Sequence, residues 1–187
     1  LLVQSNDLDT TWTATNASVV VNTSRLIAPL MDQSWAITAT GGGSVEHGFQ
    51  QTWTPTVNMQ AAQEYTATFY VEFASTTPSD EIQIEGLANG SLDVSVKFDT
   101  SALTVGSVTE GTGWSGGTAS VETVTVGNLT SYRITLTATQ ASAVTSLVYE
   151  IRMVMGGSLT FTQAGEAFFA SQCYLSLGDS TALELNT

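Results

Sequence analysis

The feature that most constrains this chain is a strict alternation of apolar and polar residues, interrupted by glycine, proline and asparagine. Tyr65, Ala67, Phe69, Val71 and Phe73 fall on one side of a run whose other side carries Thr66, Thr68, Tyr70 and Glu72. Leu92, Val94, Val96 and Phe98 alternate with Asp93, Ser95 and Lys97; Tyr132, Ile134 and Leu136 alternate with Arg133, Thr135 and Thr137. Successive side chains of a strand point to opposite faces, so each run offers one face to a core and one outward. Residues 147–155 and 167–177 form longer apolar strands, mixed enough to be covered on both faces. Residues 19–21, 35–40, 45–53, 82–86 and 121–126 are shorter candidates.

The breaks are as regular as the runs. They fall at Gly41-Gly42-Gly43, Pro55, Thr77-Pro78-Ser79-Asp80, Asn89-Gly90, 111–117, Gly127-Asn128 and Gly156-Gly157. Asn89-Gly90 predicts a tight hairpin, because both residues tolerate the positive φ that such turns require. No segment carries a sustained helical stripe, although residues 58–63 would fit one helical turn. About ten strands without helices imply a sandwich or barrel. We expect an all-β, two-sheet antiparallel β-sandwich of the jelly-roll kind, a single domain over residues 1–187. A start at Leu1-Leu2, without Met, predicts that it is part of a longer polypeptide.

Composition narrows the function. Thirty Thr and twenty Ser stand where charged side chains usually do, since Asp, Glu, Lys and Arg make up only 11%, against roughly 25% in ordinary domains. Arg25, Lys97, Arg133 and Arg152 face 17 acidic residues, for a net charge of −13. Phosphate binding needs clustered cations, so nucleic acid and anionic membranes are poor partners. No apolar run has the length of a membrane helix, which speaks against membrane insertion. Such an acidic surface suits plain solubility, a salty medium or attraction of divalent cations.

The single Cys173 precludes an intrachain disulfide, and the single His47 removes most metal and nucleophilic chemistry. Gly113-Trp114-Ser115-Gly116-Gly117 has the outline of a nucleophile elbow, but a Thr/Val strand follows where a helix is needed, and the His precedes it. Nothing singles out a pair of acids for glycoside hydrolysis. No cofactor is implied, although a structural Ca²⁺ is an open reading. Asn6, Asp7 and Asp9, or Glu166 and Asp179, would supply its oxygen ligands.

Aromatic side chains carry the remaining signal. A sugar ring packs its C–H face on an aromatic ring while its hydroxyls bond nearby polar groups. Trp114, in a glycine-rich stretch, is the best candidate for an exposed ring; Tyr70, Phe168 and Tyr174 fall on outward phases of their strands. Trp12, Trp35 and Trp53 read as core or sheet-edge residues.

Several stretches, in order, resemble a domain of bacteriophage tail fibre and tail spike proteins. They are Leu1-Leu2-Val3-Gln4-Ser5 leading to Trp12 and Val19, Phe49-Gln50-Gln51-Thr52-Trp53, and Glu64-Tyr65-Thr66-Ala67-Thr68-Phe69-Tyr70-Val71. Phe98-Asp99-Thr100, Tyr132-Arg133-Ile134-Thr135-Leu136-Thr137 and the closing Gln172-Cys173-Tyr174-Leu175-Ser176-Leu177-Gly178 continue the likeness. The resemblance implies a carbohydrate-binding-module-like jelly roll on a virion, in a tail fibre or on the capsid surface. It also implies virion subunits as partners, as a homo-oligomer, and adhesion to a host surface glycan without catalysis. Two other readings stay open: a purely structural virion domain that binds no sugar, and an accessory module of a secreted polysaccharide-degrading enzyme.

Overall fold

The computed structural model describes residues 3–5, 12–29, 33–41, 43–54, 60–73, 81–90, 92–162 and 167–177. These hold sixteen strands, numbered here in chain order, and no helix. One sheet, A, runs in the order β12 (Trp114–Val126), β13 (Leu129–Gln140), β7 (Gln63–Phe73), β16 (Ala167–Leu177), β4 (Ser34–Ala39) and β3 (Ala17–Asn22), with β1 (Val3–Ser5) also on β16. The other, B, runs β10 (Thr104–Val105), β9 (Leu92–Asp99), β8 (Glu81–Ala88), β14 (Leu147–Val154), β6 (Gly48–Trp53) and β2 (Thr13–Thr15), with β11 (Thr109–Glu110) on β9. A short ribbon pairs β5 (Val45–Glu46) with β15 (Thr160–Phe161). All these pairings are antiparallel, as expected of a jelly-roll sandwich.

The alternation assigns the faces. Tyr65, Ala67, Phe69 and Val71 on β7 meet Val94, Val96 and Phe98 on β9 and Ile82 and Ile84 on β8 in one core. Trp12 and Trp35 join them, and Trp53 packs on the margin. The predicted hairpin forms between β8 and β9, whose register pairs Ala88 with Leu92, and Asn89 and Gly90 in the connection take φ of 53° and 79°. Of the predicted helical turn at 58–63, residues 58 and 59 lie outside the described residues, while 61–62 form a turn and Gln63 opens β7.

Two departures from strict alternation decide where side chains point. The glycine stretch at 113–117 is not a break, because β12 starts at Trp114 and passes through Gly116 and Gly117 on a bulge between Ser115 and Thr118. A Cβ on Gly117 would stand 2.6 Å from Val108 Cγ1 and 2.9 Å from Glu110 Oε1, so a side chain there would require Val108 and Glu110 to shift. Trp114 is thereby turned inward, 5% exposed, with its ring 6.0 Å from Tyr65 in an edge-on contact. The exposed Trp114 of the sequence reading is corrected to a core residue.

The second bulge lies in β16, between Ser171 and Tyr174, where Gln172 takes φ of 45°. Phe168 and Ala170 before it and Cys173 and Leu175 after it all enter the core. Phe168, expected outward, is therefore fully buried; Phe169 beside it takes the outer face.

A hydroxyl-lined groove on the outer face of sheet A

Four neighbouring strands place their outward residues in register. Across β12, β13, β7 and β16, one row reads Thr118, Thr137, Thr66, Ser176 and the next Ser120, Thr135, Thr68, Tyr174. A third reads Glu122, Arg133, Tyr70, Ser171. Glu64 lies beyond the first row; with Thr118, Thr137, Thr66, the whole second row, Glu122 and Arg133 it lines a groove of about 310 Å³. That volume is at the lower end of the roughly 300–1,000 Å³ of small-molecule sites.

Hydroxyl pairs tie the floor together: Thr66 with Thr137 at 2.8 Å and Ser120 with Thr135 at 2.7 Å. The Thr68 hydroxyl, in a residue only 1% exposed, has no hydrogen-bond partner among the described residues. Arg133 Nη2 donates to Glu122 Oε2 at 2.5 Å. Burial works against the Arg133 charge, but its hydrogen bond with Tyr70 and the Glu122 carboxylate hold its pKa above the ordinary value.

Beyond the third row, residues 25–29 and Gln33, between β3 and β4, bond to the same outer face. Ser131 Oγ donates to Ile27 O at 2.5 Å, Gln172 Nε2 to Pro29 O at 3.0 Å and Ser171 Oγ to Gln33 O at 3.3 Å. Arg25 Nη1 reaches Glu72 Oε1 at 2.6 Å, and its Cζ lies 4.6 Å from the centroid of the Phe169 ring. Ile27 and Ala28 of this strap are themselves fully buried. Arg25 also covers the outward Glu72, which is buried.

The candidate aromatics therefore separate. Tyr174 lines the groove, Tyr70 lies beside it against Arg133, and Trp114 and Phe168 are in the core. They form no single apolar patch of the kind a packing interface would need. The Thr and Ser rows, with Glu64, Glu122 and Arg133, escaped the sequence reading. Their one signal was the shared outward phase of Thr66, Thr68, Thr135 and Thr137.

The outer face of sheet B carries a different cluster. Arg152 contacts Glu46 at 3.4 Å, Glu85 at 3.6 Å and Glu150, beside a cleft of about 210 Å³. Desolvation raises the Glu85 pKa, and the Arg152 charge and a hydrogen bond from Gln83 only partly offset it. His47 is buried nearby, its ring nitrogens 2.7 Å from Asn16 O and 3.2 Å from Phe161 O and its ring against Phe161. Ser115 stands in a strand of sheet A, not at a strand-to-helix turn. Among the described residues no group of three or more His, Cys, Asp or Glu would hold a metal ion. The calcium-ligand candidates Asn6, Asp7, Asp9, Glu166 and Asp179 lie outside the described residues.

The two-sheet antiparallel sandwich is similar in fold to solved carbohydrate-binding modules. The xylan-binding CBM22-1 domain of Paenibacillus barcinonensis Xyn10C superposes with a TM-score of 0.50 at 15% identity, covering 90% of this chain and 86% of that one. TmCBM27, a carbohydrate-binding module described for specific mannan recognition, gives 0.50 at 10% identity, covering 93% and 95%. The arabinose-bound MgGH51 α-L-arabinofuranosidase gives 0.55 at 14% identity over 90% of this chain, which spans only 23% of that enzyme's length. No protein-family model and no curated protein sequence matches the chain. At these identities the likeness shows the fold, and nothing in it supports the bacteriophage tail-fibre setting.

Proposed function

We propose that this domain captures a glycan in the sheet-A groove without transforming it. The observation that carries the reading is the Thr68 hydroxyl, buried and without a partner among the described residues, in the lining of a groove that also holds the Thr66–Thr137 and Ser120–Thr135 hydroxyl pairs. Buried polar groups without partners cost stability, and Thr68 differs from the unpartnered core groups in lying on the outward row that lines the groove, where a ligand would complete its bonding. Tyr174 supplies an aromatic face, and Glu64, Glu122 and Arg133 supply acceptors and donors for sugar hydroxyls. The xylan-binding and mannan-recognising modules of similar fold support this use of the scaffold.

Two settings compete. An accessory module of a polysaccharide-degrading enzyme fits the fold likeness to part of an arabinofuranosidase. A virion-surface adhesin, in a tail fibre or on a capsid, rests on the ordered sequence resemblance. In either, many copies on one particle or one polymer would multiply a weak single-site affinity.

The test is a glycan array probed with the wild type, Thr68→Val and Tyr174→Ala. Capture by the wild type, reduced in both folded variants, supports the reading. Equal capture by all three moves the site elsewhere, and no capture on neutral or acidic glycans removes it.

A further inference from the structure

The charges around the groove go beyond the presence of a glycan site to its chemical class. We infer that the groove selects uncharged glycans and rejects uronate-bearing ones, with Glu122 as the residue that sets this choice. The inference rests on the glycan-binding reading above.

Arg133 is the one cation among the groove-lining residues, and it is already occupied by Glu122 at 2.5 Å. Two carboxylates, Glu64 and Glu122, against one guanidinium leave the lining net negative, on a chain of net charge −13. A sugar carboxylate entering here would meet like charge at close range and would compete with Glu122 for the Arg133 charge. A neutral diol meets no such barrier. One hydroxyl accepts from the guanidinium while its neighbour donates to the Glu122 carboxylate, so the ion pair serves as a joint donor and acceptor. The rest of the floor is Thr and Ser hydroxyls, which bond neutral sugars as readily as they bond one another. Glu122 has 57% of its side chain exposed, within reach of a ligand, whereas only 16% of Arg133 is exposed.

The experiment measures retention of the intact domain on neutral xylan and mannan and on polygalacturonate and alginate, at low and high salt, for the wild type and Glu122→Gln. The wild type should bind a neutral polymer with little salt dependence and leave the uronate polymers unbound. Glu122→Gln, with an unchanged melting temperature, should bind the neutral polymer about tenfold more weakly, as expected for a lost charged hydrogen bond. It should also gain low-salt retention on a uronate polymer, because Arg133 is then uncompensated. Wild-type preference for polygalacturonate or alginate, weakened by salt, would overturn the inference while leaving the groove a glycan site. A folded Glu122→Gln that gains no uronate retention also overturns it. No wild-type retention on any of the four polymers removes the glycan reading and this inference together.

Discussion

Phe168 and Tyr174 stand on one strand an even number of residues apart, yet Phe168 is in the core and Tyr174 lines the outer groove. The bulge at Gln172 separates them, adding one residue to β16 that has no counterpart on β7. Removing Gln172 would restore strict alternation across the strand. Either Phe168 and Ala170, or Cys173 and Leu175, would then leave the core. The deletion variant is expected to lose cooperative thermal unfolding and near-ultraviolet circular dichroism; a native-like melt would refute the phase change.

Trp114 is a stability residue. Its ring is 5% exposed and packs edge-on against Tyr65. Trp114→Ala should destabilise the domain by about 3–5 kcal/mol, the usual cost of truncating a large buried aromatic. Urea denaturation measures this directly. A loss below about 1 kcal/mol, as surface substitutions give, would place the ring outside the core.

Thr68 should behave in the opposite sense. Its hydroxyl is buried without a partner, so the near-isosteric Thr68→Val removes an uncompensated polar group. Stability is expected to hold or rise by up to about 1 kcal/mol, while affinity for the captured glycan falls several-fold. Denaturation and isothermal titration calorimetry on the same variant separate the two effects.

The strap is pinned by Arg25, which bonds Glu72 at 2.6 Å and covers Phe169. Arg25→Ala leaves Glu72, whose side chain is 11% exposed, as a largely buried carboxylate without its cation. Arg25 itself is 37% exposed, so solvent screens the pair and the expected loss is moderate, about 1–2 kcal/mol. Adding Glu72→Gln to Arg25→Ala should recover part of it. A double-mutant cycle in which the two losses simply add would show that the pair is not coupled.

Glu85 gives the domain a pH dependence of definite sign. Burial raises its pKa above the usual 4.5, so the native state holds that proton to higher pH than the unfolded chain does. The native state thus binds more protons over the interval above 4.5, and this contribution to stability falls as pH rises through it. Glu85→Gln lacks the penalty, so it should melt above the wild type at neutral pH. The difference should vanish once the pH drops below the unfolded carboxyl's range. A difference that grows on acidification would reverse the sign and refute the argument.

Alternation alone determined the fold class, the single core and the inward set on β7, β9 and β13, because a strand's two faces follow directly from residue parity. The same parity placed Thr66, Thr68, Thr135 and Thr137 outward. Asn89-Gly90 determined a hairpin because few other pairs adopt two positive φ angles at little cost. Which strands lie side by side was decided only by the tertiary structure. Thr68 on β7 meets Thr135 on β13 and Tyr174 on β16 through pairings between distant segments, and period-2 patterning carries no information about partners. The two bulges were hidden for a related reason. Each inserts a residue that reverses parity within one run, and the gain in packing that stabilises it, Trp114 on Tyr65 and Leu175 in the core, exists only once the sheets have come together.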